Sequence, residues 1–155
     1  MKLINKHKDV EILITDKLFK RLSTYGINQF PNEFGGFLMG HYSNGFKTVT
    51  ITDTILPKVY KGTPSVFHRS VKGIQKSFEE FYKKEPIQYY VGEWHTHPNA
   101  STQYSHSDLQ AMISIAQCET VRITNPILLI ISTSKSGINS FRFYLYENKK
   151  LLPFV

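Results

Sequence analysis

The run PILLIIST at residues 126–133 constrains the fold of this chain more than any other feature. It is continuously apolar, so neither face of the segment offers water a polar side chain. A strand of that kind has to be covered on both faces. Layers must therefore pack above and below the sheet that contains it.

The rest of the chain supplies both the sheet and its covers. VEILIT (10–15), GGFLMGHY (35–42), FKTVTITDTIL (46–56), SVFHR (65–69), YYVGEWHTH (89–97) and FRFYLYE (141–147) read as strands. Ser-Asn-Gly at 43–45 and Ser-Lys-Ser-Gly at 134–137 are hairpin signals, and a loop with Pro57, Gly62 and Pro64 lies between them. Three segments carry helical signals. DKLFKRLSTYG (16–26) has Asp16 placed as a cap and ends at Gly26. VKGIQKSFEEFYKKE (71–85) opens after Ser70, repeats apolar residues at Val71, Ile74, Phe78, Phe81 and Tyr82, and stops at Pro86. SDLQAMISIAQ (107–117) follows a histidine-rich stretch. Strands alternating with helices, with hairpins at each end, predict an α/β or α+β fold: a mixed β-sheet sandwiched by helices.

The 155 residues fit one domain, 1–155. A domain of that size buries roughly 68–70% of the surface its unfolded chain exposes, so no disulfide is needed to hold it. Eleven Phe and nine Tyr exclude a disordered chain. Cys118 is the single cysteine and fits a reducing compartment. The opening MKLINKHKDVEILIT has no long apolar run, so it does not resemble a signal peptide. No segment approaches the ~18 apolar residues of a membrane span. The expectation is a soluble, cytoplasmic protein with no membrane partner. The formal charge of +7 comes from scattered lysines without an Arg-rich arm. It reads as solvated faces, with an acidic protein partner favoured over nucleic acid.

The stretch EWHTHPNASTQYSHSD (93–108) carries the chemistry. Residues i and i+2 of a strand share a face, so His95 and His97 converge while Thr96 points away. Pro98 ends the strand, because proline cannot continue a central ladder. Asp108, near the start of the next helix, can reach back to the same point. Two imidazoles and a carboxylate leave a fourth tetrahedral position open, the layout of a catalytic zinc site rather than a structural one. Each part alone has a plainer reading. A lone H-x-H is more often accidental, since histidine has many surface and core uses. Ser105-x-x-Asp108 alone reads as a helix N-terminus with Ser105 as cap. The cap and catalytic roles are compatible. A hydrolytic site also needs a proton shuttle. Glu33 is the best candidate: it lies in EFGGFLMG (33–40), where Gly35 and Gly36 leave room for close backbone approach. Glu93 is its rival. It shares the strand face of the histidines, where it would orient an imidazole or form a surface ion pair.

Glu33 in E-x-G-G-x-L-x-G, then His95-Thr96-His97-Pro98, six residues, Ser105, two residues and Asp108 together resemble the JAMM signature of the JAB/MPN metallopeptidase family. Every functional position of that signature is matched, and the order of strands and helices resembles the family's domain over nearly the whole chain. The resemblance implies an MPN/JAB domain with a cytidine-deaminase-like sheet. It implies Zn2+ held by His95, His97 and Asp108, with Glu33 activating water and passing its proton on. Ser105 would stabilise the tetrahedral intermediate. Scaffold members of the family lose ligands, so their retention here implies an active enzyme.

Within the family, YVGEWHTHP (90–98), FHRS (67–70) and the short length resemble bacterial deconjugating peptidases of anti-phage cyclic-oligonucleotide (CBASS) operons. The implied reaction is hydrolysis of the amide bond after the C-terminus of a conjugated protein, with a nucleotidyltransferase as substrate. Short loops at 57–65 and 119–126 argue against polyubiquitin-chain selectivity. Two other readings fit the chain: a peptidase maturing a small ubiquitin-like or sulfur-carrier protein, and a non-enzymatic MPN scaffold or nucleic-acid binder. A zinc nucleoside deaminase needs H-x-E…P-C-x-x-C, and the lone Cys118 excludes it.

Overall fold

In the computed structural model, which describes all 155 residues from Met1 to Val155, Ile127, Leu128, Leu129, Ile130 and Ile131 are each at most 2% exposed. In chain order the elements are β1 (Lys2–Asn5), β2 (Val10–Ile14), α1 (Asp16–Ile27), β3 (Gly35–Ser43), β4 (Thr48–Ile55), β5 (Val59–Thr63), β6 (Val66–Ser70), α2 (Gln75–Tyr82), β7 (Tyr89–Pro98), α3 (His106–Gln117), β8 (Ile127–Ser134), β9 (Gly137–Glu147) and β10 (Lys150–Pro153). Eight strands form one sheet in the order β1-β2-β4-β3-β7-β8-β9-β10, and β5 and β6 form a separate ribbon. β2–β4 and β7–β8 pair in parallel. The other neighbours in the sheet are antiparallel.

The apolar run on β8 feeds two cores. Ile127, Leu129 and Ile131 pack with Leu18 and Leu22 of α1, whereas Leu128 and Ile130 pack with Met112 of α3. On β3 the same alternation sends Leu38 to the α1 side and Phe37 and Met39 to a third cluster, against Phe78 and Phe81 of α2. One helix thus covers one face and two cover the other, the expected mixed sheet sandwiched by helices. Each fully buried aliphatic side chain contributes about 1.5–3 kcal/mol, so the double burial of β8 anchors the sheet at its middle.

Several element boundaries differ from the sequence reading. Thr15, not Asp16, caps α1: its Oγ1 accepts the Leu18 N–H at 3.1 Å, while Asp16 sits in the first turn. The second helix starts at Gln75 rather than after Ser70. Gly73 has φ +82°, a left-handed backbone that no right-handed helix contains, so residues 71–74 form a turn and Ser70 closes β6. The loop expected at 57–65 is largely β5 and its turn. The short edge strands β1 and β10 were not expected. β10 follows a two-residue turn at Asn148 and Lys149, both with positive φ, where Lys149 stands in place of the usual glycine signal.

β7 carries the H-x-H pair. A register shift opposite Leu38 and Met39 leaves Val91 as an extra residue, so Tyr90 turns to the same face as Glu93, His95 and His97. At its other end β7 lies very close to β3. A β-carbon added to Gly35 would stand 2.0 Å from the Trp94 carbonyl oxygen and 2.8 Å from His95 Cα. Gly35→Ala is therefore expected to destabilise the protein by about 2–3 kcal/mol in urea unfolding. A loss below about 0.5 kcal/mol, within the range of neutral surface changes, would mean that the strands separate without strain.

Candidate metal centre

Three elements deliver the cluster. β7 presents His95 and His97 from one face, as their spacing predicts, and ends at Pro98. Thr96 points to the opposite face, where a β-carbon on Gly26 of α1 would meet its Cγ2. α3 delivers Asp108 from its first turn. The helix is capped by Ser105, whose Oγ accepts the Asp108 N–H at 3.1 Å, while the Ser105 N–H donates to Asp108 Oδ2 at 2.7 Å. This reciprocal pair satisfies two free helix-end donors and holds the carboxylate in place. Glu33 comes from the chain just before β3. The Phe34 N–H donates to Thr96 Oγ1 at 3.0 Å, and the Thr96 N–H to the Phe34 carbonyl at 2.8 Å. These bonds tie the Glu33 segment to the histidine strand.

The donor atoms converge. His95 Nε2 lies 3.1 Å from His97 Nε2 and 3.1 Å from Asp108 Oδ1, and His97 Nε2 lies 3.4 Å from Asp108 Oδ2. Tetrahedral zinc with bonds of 2.0–2.1 Å would separate its ligand atoms by about 3.3 Å. His97 Nδ1 lies 3.0 Å from the Ser101 carbonyl. A carbonyl only accepts, so Nδ1 carries the proton, and neutral His97 turns a bare Nε2 lone pair toward the cluster. Donor set, spacing and tautomer all suit a divalent metal.

A cavity of about 450 Å³ opens over the cluster. Glu33, Glu93, His95, His97, Ser105 and Asp108 all line it, so every residue of the sequence-derived constellation, the rival Glu93 included, reaches one space. Burial of Asp108 would raise its pKa, but the Ser105 N–H and the His95 and His97 imidazoles, His97 in its protonated form, outweigh it and hold the carboxyl well below the usual carboxylate range. Burial works against protonation of His97 too, yet Asp108, the Ser101 carbonyl and Glu33 raise its pKa overall. For Glu33 burial is the largest cause, and it pushes the pKa up against the opposing pull of both histidines.

Glu93 is occupied: it forms an ion pair with Arg69 of β6, and its Oε1 accepts the Tyr90 hydroxyl at 3.1 Å. The structure shows an ion pair for Glu93, but a buried one rather than the surface pair expected, because the β5–β6 ribbon covers it. Neither partner was singled out from sequence. Arg69 is distant along the chain, and regular alternation puts Tyr90 on the wrong face until the bulge at Val91 turns it.

A helix-capped carboxylate beside an H-x-H strand end, under a polar cavity, forms a cluster whose ligand atoms could hold a metal ion. Residues 15–144 match the family described as prokaryotic homologs of the JAB domain. The chain belongs to this family and is a hydrolase of the peptidase kind. It is 30% identical over 127 residues to a protein of Enterobacter hormaechei subsp. hoffmannii (strain UCI 50) named CD-NTase/cGAS isopeptidase, covering 81% of this chain and 69% of that protein. The solution structure of protein DSY2949 from Desulfitobacterium hafniense superposes with a TM-score of 0.66 at 16% identity, over 92% of this chain and 88% of that one, and so shares the fold. No helix is long and apolar enough to cross a membrane.

The raised pKa of Glu33 makes a stability prediction. An acid whose folded pKa lies above its unfolded value near 4.5 destabilises the fold once pH rises past both values, and has no such effect below them. In chelator-stripped protein, Glu33→Gln is expected to raise the urea midpoint at pH 7 and leave it unchanged near pH 3.5. An equal shift at both pH values would show that the gain is not electrostatic.

Proposed function

We propose that this protein is a zinc-dependent isopeptidase that hydrolyses the amide bond after the C-terminus of a conjugated protein. The observation that carries the reading is the convergence of His95, His97 and Asp108 at tetrahedral ligand spacing, beneath the same cavity that Glu33 lines. The proposed ligands are those three side chains. Zinc bound there supplies Lewis acidity and lowers the pKa of water to about 7.

The remaining steps belong to the protein. Glu33 takes the proton of the attacking water and returns it to the leaving amine. Burial shifts its pKa upward, the direction that brings a carboxylate toward the range a proton shuttle needs. The Ser105 hydroxyl donates to the oxygen that gains charge as the carbonyl is attacked. Its Oγ accepts the Asp108 N–H and lies 2.9 Å from Ser107 Oγ, so its own proton serves that role when Ser107 is the donor of the serine pair. The substrate tail lies extended and is held chiefly by main-chain hydrogen bonds.

The name of the Enterobacter relative, CD-NTase/cGAS isopeptidase, supports a nucleotidyltransferase of anti-phage signalling as the conjugated protein. A cytoplasmic site of action fits the unpaired thiol of Cys118.

Metal analysis and cleavage of a conjugate joined through the nucleotidyltransferase C-terminus test the reading together. Wild-type protein is expected to hold one zinc per chain, and Asp108→Ala to lose most of it, since two histidines under-coordinate the ion. Glu33→Gln is expected to retain zinc and lose about 10²–10⁴-fold in rate. Full zinc retention after replacing both histidines by alanine, or near-normal cleavage by Glu33→Gln, rejects the mechanism.

Ser105 has a separate test. Ser105→Ala is expected to lose about 10²–10³-fold in rate if the hydroxyl serves the oxyanion. As a cap alone it would cost about 1 kcal/mol of stability and little chemistry. Melting, zinc content and turnover at low temperature distinguish them: a lowered melting point with near-normal turnover reduces Ser105 to a cap.

A further inference from the structure

The β5–β6 ribbon shares no strand pairing with the main sheet, yet residues 64–69 wall the cavity. Something other than a ladder must hold it there. At its turn end it bears on Glu33. The Glu33 N–H donates to the Thr63 carbonyl at 2.8 Å, and a β-carbon on Gly62 would stand 2.2 Å from the Glu33 carbonyl oxygen. Tyr60 and Phe67 meet the next residue, Phe34, at ring-centre distances of 5.2 and 5.9 Å. The backbone that carries Glu33 is thus pinned between β7 and the ribbon.

At its other end the ribbon is tied by charge. Arg69 pairs with Glu93, and these side chains are only 20% and 10% exposed. It is the one ion pair between the ribbon and the sheet. Glu93 is fixed in turn by the Tyr90 hydroxyl, and the Tyr90 ring packs on Phe37 and Phe78 at 6.3 and 6.4 Å. The bulge at Val91 exists in the right place to turn Tyr90 onto this face. A buried pair of this kind adds little net stability against an apolar alternative, but breaking one side of it leaves an uncompensated buried charge. It is better suited to fixing a position than to holding the fold.

We propose that Arg69, Glu93 and Tyr90 form a latch that locks the β5–β6 ribbon onto β7 and thereby positions Glu33 over the metal cluster. Arg69 and Glu93 are positioning residues, acting through the ribbon rather than on the substrate. The inference rests on the role proposed above for Glu33, but its first readout does not depend on any substrate.

Amide hydrogen exchange on the full-length zinc protein is the test, beside zinc content and single-turnover cleavage of the conjugate. Arg69→Ala and Glu93→Gln are each expected to speed exchange of the Glu33 amide and of residues 59–70 by about tenfold or more, with β8 unchanged and zinc retained. Each is expected to slow the chemical step by about tenfold, less than Glu33→Gln. The double variant should be no slower than the singles, because both break one device. Wild-type exchange at Glu33 with reduced cleavage would overturn the latch and make Arg69 a substrate contact. Equal acceleration across β3, β7 and β8 would overturn it as general destabilisation, and additive rate losses would overturn it as two separate roles. If wild-type protein leaves the conjugate intact while Glu33 exchange responds as expected, the substrate reading fails and the latch stands.

Discussion

The centre of this molecule depends on how closely two backbones approach. Where β3 begins, Gly35 lies so near β7 that a β-carbon would fall 2.0 Å from the Trp94 carbonyl oxygen. With no side chain in the way, the Phe34 and Thr96 backbones exchange hydrogen bonds at 2.8 and 3.0 Å, the second through the Thr96 hydroxyl. That clamp sits one residue from Glu33 and one residue from each histidine. Thr96 faces α1 while its neighbours face the cavity, so one residue joins the packing on one face of the sheet to the chemistry on the other.

On the cavity face, β7 is a polar strip between two apolar clusters. Phe37 and Met39 of β3 lie to one side, and Leu128 and Ile130 of β8 to the other. Glu93, His95 and His97 are 8–9% exposed. Polar groups so placed destabilise a fold unless each finds a partner. Glu93 has Arg69 and Tyr90, His97 has the Ser101 carbonyl and Asp108, and His95 has Asp108. The last two share a single carboxylate and turn their Nε2 atoms toward each other. Lone pairs and a carboxylate facing one point call for positive charge. The raised pKa of His97 expresses that demand with a proton, and a divalent cation would answer it more fully.

Legibility in the sequence followed the range of the interaction. The double-faced strand β8, the histidine strand ended by Pro98, and the capped start of α3 are local patterns, and all were readable. The hairpin between β8 and β9 was readable for the same reason. The late start of α2 was hidden, because Val71 and Ile74 fit helical spacing and only the left-handed Gly73 breaks it. The β5–β6 ribbon was half hidden because KVYKGTP offers proline and glycine to a reader looking for a loop. Arg69 meeting Glu93 is long-range, and no spacing rule links them. Tyr90 was not singled out, since regular alternation sets it opposite Glu93 and only a bulge brings it to the same face. At the candidate site, Glu33, His95, His97, Ser105 and Asp108 were all named in advance. What the residues could not supply was the ribbon that holds the first of them.

The start of α3 shows why two readings of Ser105-x-x-Asp108 need not compete. As a cap, the motif needs Asp108 to turn back and accept the Ser105 N–H, which it does through Oδ2 at 2.7 Å. As a ligand, it needs the same carboxylate to face the imidazoles, which it does with Oδ1 3.1 Å from His95 Nε2 and the capping Oδ2 3.4 Å from His97 Nε2. The capping bond fixes the rotamer that aims the second oxygen, so the helix end would serve as the orienting partner that metal-ligating carboxylates generally require. The helix N-terminus also favours negative charge there, in line with the depressed pKa of Asp108. A residue chosen only to start a helix would tolerate exchange of aspartate for another cap-box side chain such as glutamate. Here the extra methylene would move the second oxygen off the cluster while leaving the helix its start, so the two roles separate by length rather than by charge.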